Sequence, residues 1–394
     1  MPRALVVSVD PCWPPISGAD LRIWQVAQHV SAFTPATVAC MAALPPLAHA
    51  PAPGITMLAL SDVPSAAVWR RPPGATPIDI TLPETARARL EALVADLRPD
   101  IALVESLSLH AILPWLSVTV PCVVLDMYDI ESTRRARQAV GWLPWRRRQR
   151  TREVAAIRAI EKRAAESADR VWVCSSLDAD RFTAVTGRRV GIHVVPNGVP
   201  RADSVPTQMR PRADSSRLAP VLLMAGHLAY RPNVLAAEFA ARAILPRLRK
   251  HLPGARLVLA GRAPHRRVRA LASDAVDVIA DPPDMTPMLR DADMSVMPLT
   301  EGGGTRVKMA EAMAWGLPVV ATAMAAEGLG LQDGRHYRRA ESAAQFATAI
   351  AELWHDGPLF EATRQAAREF ALREFGPDAI ARAVARGLGG ADPS

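Results

Sequence analysis

The feature that most constrains this chain is a repeated alternation of short apolar runs with stretches of helical periodicity. In the first half the runs fall at 4–9, 37–41, 55–58, 101–104, 122–126, 170–174 and 191–195. In the second half they fall at 221–224, 256–260, 276–280, 294–297 and 319–322. Short, continuously apolar runs suit strands covered on both faces, as in a parallel sheet. Between them Leu90, Leu93, Val94 and Leu97 repeat at i, i+3, i+4, i+7, and Thr81 and Glu84 are spaced as a capping box. Strand and helix in alternation predict an α/β fold of parallel, doubly wound sheets.

A polar stretch at 201–219, with prolines and arginines, breaks the rhythm before it restarts and reads as a linker. A chain of 394 residues is long for one core. Two Rossmann-like domains are therefore expected, 1–200 and 220–372, with the stretch 342–387 nearly all helical in pattern. Two such domains are expected to face a cleft, the usual place for a ligand.

Charge is concentrated. Residues 134–163 hold eleven Lys and Arg against Glu153 and Glu161, a local +9, so the remainder of a chain with net charge +8 sums to −1. This stretch is either a solvated arginine face, on a helix with Val154, Ile157, Ile160 and Ala164 inside, or a docking surface. Docking would be on an anionic membrane or a phosphate-bearing acceptor, with Trp142 and Trp145 at the interface. Nucleic acid is not expected, because no recognition fold accompanies the charge. Only Lys162, Lys250 and Lys308 are lysines among 47 basic residues, a bias suggesting a GC-rich bacterial genome. The apolar stretch 101–125 contains Glu105, His110, Pro114 and Pro121, so it reads as strand-helix-strand and not as a bilayer span. The N-terminal apolar run is too short for a secretion signal. Cys12, Cys40, Cys122 and Cys174 are scattered, suggesting neither a disulfide framework nor a zinc site. A cytoplasmic location follows, with peripheral contact at the inner membrane face as its variant.

The run from Glu301 through Gly302, Gly303, Gly304, Thr305 and Arg306 to Lys308 carries the chemistry. Three glycines precede a helix-forming segment that starts with a hydroxyl, a guanidinium and an ammonium. Glycine admits a ligand close to the backbone, and free N–H groups at a helix start attract anions. Arg306 can grip two phosphate oxygens, and Glu311, one turn beyond Lys308, can accept from a ribose diol. Gly316 and Pro318 end the helix before the run at 319–322. The chemistry points to a nucleotide-diphosphate sugar. Thr305 reads as the helix N-cap, and Glu301 either as a sugar contact or as loop solvation. Gly18 either turns the chain or starts a helix aimed at the cleft. Arg22, one turn on, contacts acceptor or phosphate, or forms a surface salt bridge. Glu105, Asp129 and Glu131 sit at strand ends where cleft residues collect, or are structural.

With these residues in view, the chain resembles the retaining GT-B glycosyltransferases of glycosyltransferase family 4, also called group 1. The likeness rests on the loop at 14–22 with Gly18 and Arg22, on Asp129 to Ser132, on 168–180, on Pro196-Asn197-Gly198, on Gly226 and His227 through Asn233, and on the glycine-rich run. It implies the GT-B fold, with a final helix at about 373–390 crossing back to the first domain. It also implies transfer from a nucleotide sugar to a hydroxyl on a small-molecule, glycan or lipid-linked acceptor, with retention. No cofactor and no essential metal are implied. His110 is implied near the donor sugar and joins Arg306, Lys308 and Glu311 as catalytic. Gly18, Gly226, His227 and Glu301 through Thr305 fall on the donor side, and Arg22, Glu105 and Asp129 on the acceptor side.

Two departures stand out. The family's paired glutamates flank seven residues; the second matches Glu311, but the first position holds Gly303, with Glu301 two places earlier. The usual Arg and Lys after the first strand of the second domain are replaced by His227 and by Pro232 and Asn233. Arg306 and Lys308 are expected to supply that charge instead. Other functions compatible with these residues are a nucleotide-sugar epimerase and a non-catalytic sugar-nucleotide-binding protein.

Overall fold

The computed structural model describes residues 3–15, 17–46, 52–138, 144–210, 218–302 and 307–389. It divides into two compact units, Met1–Asn197 with Ile380–Ser394, and Gly198–Ala379.

Among the described residues, the first unit has one seven-stranded sheet. Its strands are β1 (Ala4–Ser8), β2 (Ala36–Cys40), β3 (Ile55–Ala59), β4 (Ile101–Glu105), β5 (Cys122–Met127), β6 (Arg170–Val173) and β7 (Ile192–Val194). The spatial order is β3-β2-β1-β4-β5-β6-β7, and every pairing is parallel. Winding therefore reverses between β1 and β4. Alternate side chains serve two cores: Leu5, Val7, Val104 and Leu125 on one face, Val6, Leu103, Val124 and Trp172 on the other. Covering both faces is why the strand sequences show no polar alternation.

The helix Gly18–Ser31 lays Ile23, Trp24, Ala27 and Val30 on one face. The helices Glu84–Leu97 and Pro144–Ser167 bring Leu90, Val94, Ile157 and Ile160 to the other. Ser17 and Asp20 form a capping box at the start of the first helix. Thr81 and Glu84 do not form the expected one: the second helix begins at Glu84 itself, Pro83 is its N-cap, and the Thr81 hydroxyl donates to the Arg70 carbonyl at 2.5 Å. The expected inner stripe of the third helix shifts slightly, with Val154 only half-buried and Glu161 joining it. From Ile380 onward the helix Pro377–Gly387 packs in the first unit, where Ile380, Ala383 and Val384 join the Trp172 core. Gly387 is needed there, because a Cβ would lie 2.7 Å from the Trp172 ring.

The second unit repeats the winding with six strands among the described residues. These are β8 (Val221–Ala225), β9 (Arg256–Gly261), β10 (Val276–Ala280), β11 (Met294–Met297), β12 (Val319–Ala321) and β13 (Arg338–Arg339), in the order β10-β9-β8-β11-β12-β13 and all parallel. The two-residue β13 carries no apolar run and was not expected. Residues 201–210, read above as the start of a linker, pack on this unit: the Arg364 guanidinium reaches the Met209 sulfur and the Arg210 carbonyl. Arg368, also on the helix Gly357–Phe375, donates to the Ala314 carbonyl at 2.7 Å and to the Pro206 carbonyl. Residues 101–125 fold as β4, a 3-10 turn Leu107–Ile112, the helix Leu113–Thr119 and β5. Among the described residues no helix is long and apolar enough to cross a membrane.

Candidate active site

In a doubly wound sheet, ligands collect beyond the carboxyl ends of the strands where the winding reverses. In the second unit that point lies between β8 and β11. Gly226 and His227 follow β8, while Glu301, Gly302 and the helix Val307–Ala314 follow β11. Lys308 folds onto the first of these loops: a Cβ on Gly226 would collide with the Lys308 ammonium and lie 3.1 Å from the Asn233 amide nitrogen. Glycine is thus what lets the ammonium reach the backbone. The loop is pinned by Gly226 N–H donating to Ala260 at 2.9 Å, Arg262 N–H to Gly226 at 3.1 Å, and Asn233 Nδ2 to the His227 carbonyl at 2.8 Å. Gly261, with φ +148°, is glycine because a Cβ would overlap the Gly226 carbonyl.

The site is electrostatically uneven. Partial burial, then Arg262 and Lys308, hold the His227 imidazole below its ordinary pKa and so favour its neutral form. Glu311 is 4% exposed, and its carboxylate accepts from the Arg201 guanidinium. Burial raises its pKa to about 7, with Arg201 and then Lys308 pulling the other way. Glu301 pairs with Arg231 at 3.1 Å, and Gly302 has φ +124°. Gly303, Gly304, Thr305 and Arg306 lie outside the described residues. Lys308 thus meets Gly226 at the expected loop, and Glu311 lies within reach of its charge.

The corresponding point of the first unit, between β1 and β4, is filled differently. Arg22 was expected on the acceptor side or in a surface ion pair, but it is 2% exposed. Its Nε donates to Asp126 at 2.8 Å, its Nη2 to the same carboxylate at 2.5 Å, and its Nη1 to the Val195 carbonyl and Asn197 at 2.8 and 3.0 Å. Each of its three guanidinium nitrogens donates to a partner inside the fold, so its charge is engaged internally. Glu105, the register partner of Asp126, is 1% exposed. One of its oxygens accepts from the Tyr128 hydroxyl at 3.2 Å; the other has no partner among the described residues. Burial and then the Asp126 carboxylate push Glu105 well above the usual carboxylate range.

His110 sits in the 3-10 turn after β4 with its Nε2 2.9 Å from Asp79, both side chains about one-fifth exposed. Burial opposes ionisation of Asp79, but hydrogen bonds from His110 and Thr76 win and lower its pKa. Gly18 is the first residue of its helix, and a Cβ there would meet nothing within 4 Å. The fold does not demand glycine at that position. Asp129 lies 3.8 Å from Arg134, which also pairs with Glu131.

Two Asp-x-Asp runs, a common handle for divalent metal, have carboxylates engaged in the fold. Asp178 accepts from the Ser175 hydroxyl at 2.6 Å, and Asp293 from the Val221 N–H at 2.8 Å. A cavity of about 580 Å³ lined by Val94, Arg98, Trp115 and Pro121 opens at the amino ends of β4 and β5, the sheet edge opposite Glu105 and His110. Arg201, Asp126 and Asp79 were not anticipated. For Arg201 a signal was present: it follows the Pro196-Asn197-Gly198 motif by three residues.

Residues 219–356 match the family model of glycosyl transferases group 1. No curated protein matches the chain significantly. Among solved structures, sucrose-phosphate synthase from Thermosynechococcus elongatus is similar with a TM-score of 0.72 at 17% identity, over 97% of this chain and 96% of that one. WaaG, a glycosyltransferase involved in lipopolysaccharide biosynthesis, gives 0.69 at 15%, over 98% and 100%. HepE from Anabaena, in complex with UDP-glucose, gives 0.67 at 15%, over 98% and 99%. The two parallel-sheet α/β units, with GT-B glycosyltransferases as structural neighbours, have the expected fold. The matched domain and these neighbours support a glycosyltransferase.

Proposed function

We propose that the protein transfers a glycosyl group from a nucleotide-diphosphate sugar to a hydroxyl acceptor, with retention and without a metal. The observation that carries this is the Lys308 ammonium held on the Gly226 backbone where the second sheet reverses its winding. Lys308, with Arg306 and the amides of the glycine triplet, neutralises the departing diphosphate, an electrostatic task suited to preorganised charge. Glu311 holds the ribose, and Glu301 lies on the donor-sugar side. His227, being neutral, adds a hydrogen bond and no charge. The family resemblance assigns His110, whose Nε2 is 2.9 Å from Asp79, to catalysis and Gly18 to ligand binding. Retention and metal independence rest on the family resemblance.

A uridine nucleotide is the first donor to test, since the similar HepE was crystallised with UDP and UDP-glucose. In a thermal-shift screen of UDP-, GDP-, dTDP- and ADP-sugars, one donor raises the melting temperature of the wild type and not of Lys308→Ala. A screen in which nothing shifts the wild type removes the proposal.

The arginine-rich start of the Pro144–Ser167 helix is assigned to an anionic membrane bearing a lipid-linked acceptor, at the inner face. Arg146, Arg147, Arg148 and Arg152 are exposed there, and Trp145 is 59% exposed. Co-sedimentation with acidic but not neutral vesicles is expected; absence of pelleting at low salt refutes the contact.

A further inference from the structure

Arg201 belongs to no motif that suggested a donor site, yet its guanidinium occupies the carboxylate assigned to the ribose. Its backbone is left-handed, with φ 49°, a conformation that costs a non-glycine residue energy unless the surroundings hold it. Here they do. Two residues earlier Val199 N–H donates to the Phe375 carbonyl at 2.8 Å, and the Arg201 carbonyl accepts from Ser204 N–H at 2.8 Å. The segment is thus tied down on both sides of a strained residue whose side chain bonds to a partner 110 positions away.

We propose that Arg201 is a positioning residue for the donor: it grips one oxygen of Glu311 and leaves the other directed to the ribose hydroxyls. This rests on the donor-site function proposed above. Glu311 is 4% exposed and cannot be oriented by water. Among the described residues, the charges that reach it are Arg201 and Lys308. From the packed Gly357–Phe375 helix, Arg368 directs its guanidinium to the Ala314, Pro206 and Thr207 carbonyls, and Arg364 to Met209, the Arg210 carbonyl and Glu361. Among the described residues, Arg201 is therefore the guanidinium that orients this carboxylate. Burial has already raised Glu311 to about 7 against the pull of Arg201, so losing Arg201 favours the protonated acid, a poorer acceptor.

The test measures ribose discrimination by calorimetry. UDP, GDP, ADP and CDP are each compared with their 2′-deoxy and 3′-deoxy counterparts, between about pH 6 and 9. The phosphate contacts are common to each pair, so the affinity ratio reports the carboxylate alone. Wild type is expected to prefer the ribose form by about tenfold, the value of one hydrogen bond to a charged group. Glu311→Gln and Arg201→Met lose that preference. Arg201→Lys keeps part of it, with the pH at which preference fails moved upward. Arg201→Lys also serves if Arg201→Met does not fold. Undiminished preference in the Arg201 variants overturns the proposal while leaving the donor site intact. Undiminished preference in Glu311→Gln overturns the ribose role of Glu311 and the proposal with it. No binding of any diphosphate to wild type removes the donor site itself.

Discussion

The two sheets reverse their winding in the same way, between β1 and β4 and between β8 and β11, yet the two points are lined in opposite ways. In the first unit the reversal is closed by its own charges: Arg22 and Asp126 are 2% and 0% exposed and share two hydrogen bonds, with Glu105 and Tyr128 beside them. In the second, an exposed His227, a half-buried Lys308 and the pinned Gly226 backbone line the same position. A shared topology supplies a place for a ligand; whether it is available depends on whether the protein has satisfied the charges itself. Polar groups bonded within the fold are costly to divert, whereas a cation on a loop gains by meeting an anion.

Breaking this contrast from the first unit gives the largest effect. Asp126→Ala leaves the Arg22 guanidinium buried without its carboxylate and is expected to cost about 3–5 kcal/mol in urea unfolding. A loss near that of a surface substitution would show that the pair is solvated after all. Lys308→Ala sharpens the contrast from the other side. Folding stability should move by less than about 0.5 kcal/mol, while donor affinity falls by about tenfold or more. A Lys308 variant that unfolds as readily as Asp126→Ala would erase the distinction.

The smallest effect concerns Glu105, and its sign follows from linkage. Its pKa is raised in the folded state, so its contribution is fully present below the unfolded value of 4.5 and is lost as pH rises toward the folded one. Glu105→Gln removes that loss. Its stability relative to wild type should improve on going from about pH 5 to pH 8. A difference that does not change with pH would mean Glu105 is ionised in place.

Much of the fold was legible along the chain because strand and helix periods are local. The expected runs at 276–280 and 294–297 coincide with β10 and β11, and no other expected strand edge moves by more than one residue. The helix expected after the glycine-rich run was equally legible and is present from Val307. The misses have physical causes. β13 is two arginines long and has no apolar signature. Thr81 has the spacing of a capping box, but Pro83 occupies the cap and the helix starts one residue later. Arg22 was indistinguishable in sequence from Lys308, a cation early in a helix after a glycine; only its partners, 104 to 175 residues away, make it structural. The same distance hid the Arg201–Glu311 pair and the Asp79–His110 contact.

From residue order alone came two parallel, doubly wound sheets and a helix following the glycine-rich run after β11, because strand and helix periods act between near neighbours. The tertiary structure alone decided which ionisable groups are consumed inside and which stay available. That outcome turns on burial and on partners brought together from distant parts of the chain, and no local pattern carries it.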